Sequence, residues 1–98
     1  MPDLQFWRNA SGQLTFEMVV PVAHYQALCG ALAEAFDLVP CGPPVDGWDL
    51  VIQDYRRGEQ VVGLEWDNWM GFVIVAKSPA SEPLVRDMAN WLVSGDAR

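Results

Sequence analysis

Gln60-Val61-Val62-Gly63-Leu64-Glu65-Trp66-Asp67-Asn68-Trp69-Met70-Gly71-Phe72-Val73-Ile74-Val75-Ala76-Lys77 decides the fold. β-Branched and aromatic residues crowd both sides of Asp67-Asn68, a pair with turn chemistry, so two strands are predicted, Gln60 to Trp66 and Met70 to Lys77. Upstream, Trp48 to Tyr55 has the same character, and Arg56-Arg57-Gly58-Glu59 supplies the intervening turn. The three segments read as an antiparallel meander.

Working outward, Leu4 to Val20 reads as a hairpin around Asn9-Ala10-Ser11-Gly12, because Leu14, Phe16 and Met18 alternate with Gln13, Thr15 and Glu17. Pro21 fits a first helical position, and Val22, Tyr25, Leu28, Cys29, Leu32, Ala35 and Phe36 follow at three- and four-residue spacing, which predicts a helix from Pro21 to Phe36. Val39-Pro40-Cys41-Gly42-Pro43-Pro44 is read as a loop, since proline cannot donate ladder hydrogen bonds. A last helix opens at Ser78 or Ser81, places Leu84, Val85, Met88, Trp91 and Leu92 on one face, and stops at Gly95. The expected fold is α+β, in the order β-β-α-β-β-β-α, with an antiparallel sheet and two helices on one face.

The chain has 98 residues, which fits a single domain. Its 51% hydrophobic and 19% charged content is that of a folded globule, since disordered chains lack the apolar area to offset ordering entropy. Met1-Pro2-Asp3-Leu4 carries no basic region leading into an apolar one, and the most apolar runs fall well short of the ~20 residues a membrane helix needs. A cytoplasmic protein with no membrane contact is expected. Cys29 and Cys41, with the lone His24, form neither a disulfide framework nor a zinc set, so no metal and no cofactor are expected. His24 reads as a half-buried packing residue.

The net charge of −7 is concentrated between Glu34 and Asp67, where Glu34, Asp37, Asp46, Asp49, Asp54, Glu59, Glu65 and Asp67 face only Arg56 and Arg57. Such a segment repels phosphate, so direct nucleic-acid binding is not expected, whereas a basic partner would be steered toward it. Within it, Glu65-Trp66-Asp67-Asn68-Trp69 sets two tryptophans and two carboxylates around one tight turn, too crowded for both indoles to enter a single core. Trp48-Asp49 repeats the pairing at the start of another strand, and register decides whether it adjoins the first patch or lies at the opposite end. Together they would make an acidic rim with aromatic centres. No G-x-S-x-G, P-loop, H-E-x-x-H or dinucleotide motif is present, and carboxylates such as Asp54, Glu65 and Asp67 are the only material for acid–base work. A binding protein is expected rather than an enzyme.

The stretch from Trp48 to Leu92, with Gly63-Leu64-Glu65-Trp66-Asp67-Asn68-Trp69 followed by an apolar strand and a terminal helix, resembles small immunity proteins of bacterial polymorphic-toxin and contact-dependent inhibition systems. The resemblance implies non-covalent neutralisation of a cognate toxin, often a nuclease with a basic active site. Trp48, Asp49, Asp54, Glu59, Glu65, Asp67 and Trp69 are the expected contact residues, and the expected partner is a basic toxin domain. The alternative is a regulatory or scaffold module that self-associates or docks within a complex, with Trp91 as a possible homodimer contact.

Overall fold

The computed structural model describes residues 6–94. The expected strand start at Leu4 and helix stop at Gly95 lie outside them. β1 (Phe6–Arg8) and β2 (Leu14–Met18) form the first hairpin. Asn9 makes its turn, with Oδ1 accepting from the Ser11 and Gln13 N–H groups at 3.0 Å each. A single 3-10 turn (Val22–His24) then leads into α1 (Tyr25–Phe36). Asp37 ends α1 in a left-handed conformation, and the Leu38 N–H closes on the Ala33 carbonyl at 2.9 Å. Aspartate tolerates that conformation better than most residues.

The second half runs β3 (Val39–Asp46), β4 (Leu50–Arg57), β5 (Gln60–Asp67) and β6 (Gly71–Ala76), and closes with a 3-10 turn (Pro79–Ser81) and α2 (Glu82–Val93). All pairings are antiparallel, in the order β1-β2-β6-β5-β4-β3. The α+β class, the antiparallel sheet and the two helices therefore stand as the sequence predicts.

The segment Val39 to Pro44, expected as a loop, is instead the edge strand β3. Val39, Pro40 and Cys41 pair with Arg56, Tyr55 and Asp54, the register shifts between Cys41 and Val45, and Val45 and Asp46 then pair with Ile52 and Val51. An edge strand needs ladder bonds on one side only, which is where proline is accommodated, and Gly42 at φ 75° sits within the irregularity. The prolines also blunt an otherwise open edge.

Alternation along the strands sends Leu14, Phe16, Val62, Leu64, Trp66, Phe72, Ile74 and Ala76 to one face. There they join Tyr25, Cys29 and Leu32 of α1 and Leu84, Val85, Met88, Ala89 and Leu92 of α2 in a single core. Both helices thus cover the same face. Tyr25 donates its hydroxyl to the Leu64 carbonyl at 2.5 Å, and the Trp66 indole donates to the Val20 carbonyl at 2.9 Å, so two large aromatics enter the core with their polar atoms satisfied. Trp91 packs edge-on against Phe36, with ring centres 5.9 Å apart. Ser78 and Ser81 bond each other's hydroxyls at 3.0 Å instead of capping a helix, and His24 is exposed, not half-buried. Burial pushes the Cys29 thiol up, and both cysteines are free. Among the described residues no helix is long and apolar enough to cross a membrane.

Candidate partner-binding rim

The antiparallel order brings the end of β2, the start of β6, the end of β5, the start of β4 and the end of β3 to one rim of the sheet. Two tight turns stand there. In the β3–β4 turn the Gly47 N–H donates to the Leu50 carbonyl at 2.7 Å, which lifts Trp48 and Asp49 to the tip. In the β5–β6 turn Asp67 Oδ1 accepts from the Trp69 and Met70 N–H groups at 2.8 and 2.7 Å, an Asx turn of the kind aspartate favours. Gly71 follows at φ 82°, where an added Cβ would lie 2.7 Å from the Met18 carbonyl oxygen, so glycine lets the turn nest against β2.

The Asn68 N–H donates to the Asp49 carbonyl at 3.2 Å and ties the two turns together. Trp48 is 96% exposed and Trp69 93% exposed. Val19, 90% exposed, stands beside Gly71, and Val45 is half exposed at the end of β3. Large apolar side chains are thus left in water at adjoining positions, a less ordinary arrangement than single exposed apolar residues.

The charges are sorted as well. Glu17, Asp46, Asp49 and Asp67 belong to this rim. Arg8, Arg56, Arg57 and Lys77 lie at the opposite end of the strands, and Arg86 sits on α2 with its guanidinium 5.0 Å from the Phe6 ring centre. Among the described residues no cation pairs with any of the four rim acids.

Of the seven expected contact residues, Trp48, Asp49, Asp67 and Trp69 come together at the rim. Asp54 and Glu65 do not. They lie mid-sheet on the helix-free face, where Lys77 Nζ reaches Glu65 Oε2 at 3.4 Å and Asp54 Oδ1 at 3.9 Å. Gly63 lies beneath this cluster, and a Cβ there would stand 2.7 Å from Lys77 Cε. Burial pushes the Glu65 carboxyl up, and Lys77 opposes the shift. Glu59 occupies the β4–β5 turn, at the far end from the tryptophans. Val19 was not among the expected contacts, because nothing in the sequence distinguishes it from its partly buried neighbours Met18 and Val20.

Asp54 and Glu65, two of the carboxylates considered for acid–base work, share Lys77 on the helix-free sheet face. A cavity of about 200 Å³ lies elsewhere, lined by Ser11, Gly12, Gln13, Lys77, Ser78 and Glu82 among others, and none of the seven residues lines it. Among the described residues no group of three or more potential ligands is gathered for a metal ion.

Comparison with protein-family models, curated proteins and solved structures finds no match. The rim's chemistry therefore has to speak for its function.

Proposed function

We propose that this chain is a non-catalytic binding protein that neutralises a basic bacterial toxin domain by occupying it, as an immunity protein does. The observation that carries this reading is the pair of indoles at Trp48 and Trp69, left in water on two turns that a backbone hydrogen bond holds side by side. Exposing two tryptophans forgoes burial worth about 1.5–3 kcal/mol for a large apolar side chain, and such anchors recur as the energetic centres of protein interfaces. The net charge of −7 supports a partner of opposite sign and would speed its capture by long-range steering.

Co-expression with a toxin domain encoded beside this chain tests the proposal. Restored growth of cells that the toxin alone kills, together with a stable complex of the two chains, is the expected result. Undiminished killing in the presence of the folded protein would overturn it.

A further inference from the structure

Two exposed indoles suit several occupants: unstacked nucleobases, a lipid interface, an apolar protein patch or a cation. The charges beside them discriminate. A nucleic acid or an anionic lipid would bring phosphates against Glu17, Asp46, Asp49 and Asp67, with no Lys or Arg among the described residues at that end to compensate. A second copy docking rim to rim would set the same acids against themselves. A cationic protein surface meets neither penalty.

The chemistry can be narrowed further. Asp67 is held by two backbone N–H groups on Oδ1, one of them that of Trp69 two residues on, so its carboxylate is oriented beside Trp69 before any partner arrives. Asp49 stands next to Trp48, and its carbonyl is fixed by Asn68. Each indole residue therefore has a carboxylate beside it, Asp49 as the chain neighbour of Trp48 and Asp67 as the acceptor of the Trp69 N–H, on turns whose backbones are bonded to each other. A planar guanidinium suits such a pair better than a compact ammonium, because it can stack on an aromatic face while its edge donates paired hydrogen bonds to a carboxylate.

We infer that the rim formed by Trp48, Asp49, Asp67 and Trp69 is a receptor for arginine side chains presented by a basic protein partner. This inference rests on the binding function proposed above and adds the chemistry the partner must display. The helix-free face does not supply an equivalent site, because Lys77 already engages the carboxylates of Asp54 and Glu65.

The test follows the indole N–H signals by heteronuclear NMR while hexa-arginine amide or hexa-lysine amide is added. The Trp48 and Trp69 signals, assigned from single Trp→Ala variants, should move saturably, with the arginine peptide binding about threefold to tenfold more tightly than the lysine peptide. The Trp48→Ala/Trp69→Ala double variant should bind both peptides alike. Equal affinity of the two peptides for the unmodified protein would reduce the rim to simple charge attraction and overturn the inference. So would the absence of a saturable shift at Trp48 and Trp69, or insertion of these indoles into phosphatidylcholine vesicles. Rescue from a toxin without arginine preference would sink this inference and leave the immunity reading standing, whereas arginine preference without rescue would do the reverse.

Discussion

The backbone N–H of Asn68 donates to the carbonyl oxygen of Asp49, and this one bond joins the turn carrying Trp48 to the turn carrying Trp69. Two residues distant in sequence thereby become a single surface. The turns are held by the ordinary means of tight turns: Asx bonds at Asp67, a glycine at positive φ at Gly71 and the bond from the Gly47 N–H to the Leu50 carbonyl.

Replacing Asp67 with alanine removes the acceptor of two backbone N–H groups. The variant should lose about 1–2 kcal/mol in urea unfolding, and Asp67→Asn, which keeps an oxygen in place, should lose clearly less. Equal losses for both would mean that the Asx bonds contribute nothing.

Gly71 and Gly63 make a contrasting pair. At Gly71 a methyl would meet the Met18 carbonyl at 2.7 Å on a backbone already at φ 82°, so Gly71→Ala should cost more than about 2 kcal/mol. At Gly63 the obstructions are the far ends of two side chains, Lys77 Cε at 2.7 Å and Glu65 Oε2 at 2.9 Å, which can swing away where backbone cannot, so Gly63→Ala should cost clearly less than Gly71→Ala. Urea midpoints of the two variants check the order.

Tyr25 holds the middle of the core through its bond to the Leu64 carbonyl. Tyr25→Phe keeps the ring against Phe72 but removes that bond, at a cost of about 0.5–1.5 kcal/mol. Thermal unfolding measures the loss, and an unchanged midpoint would show that the bond is energetically neutral.

The pH dependence has a definite sign at one residue. Glu65 has its carboxyl raised above the ordinary 4.5 in the folded state, by burial first and against the pull of Lys77, so the native chain binds this proton more tightly than the unfolded chain does. Its contribution is therefore most favourable below the unfolded value and declines as pH rises through the folded one. Unfolding free energies measured from about pH 4 to 7 should fall less with pH in Glu65→Gln than in the parent. An identical slope would contradict the assignment.

The secondary structure was largely legible because periodicity carries it. The spacing of Tyr25, Cys29 and Leu32 marks α1, and the β-branched runs on either side of Asp67-Asn68 mark β5 and β6. β3 was hidden by Pro40, Pro43 and Pro44, since proline argues against a strand in general and only an edge position relaxes the rule. The adjacency of Trp48 and Trp69, which sequence alone leaves to register, follows from topology instead: in an antiparallel meander the start of one strand and the end of the next share an end, and the same geometry sends Glu59 to the other. Asp54 and Glu65 were out of reach, because only side-chain geometry shows that Lys77 arches over Gly63 to meet them.

The most direct measurement is the affinity of the purified cognate toxin domain for the parent protein and for Trp48→Ala/Trp69→Ala, with urea unfolding confirming that both are equally folded. If the rim is the binding surface, the double variant should bind on the order of 1000-fold more weakly, given about 2 kcal/mol for each interface anchor, at an unchanged unfolding midpoint. Equal affinity for the two proteins would show that the partner is held elsewhere and would contradict the account.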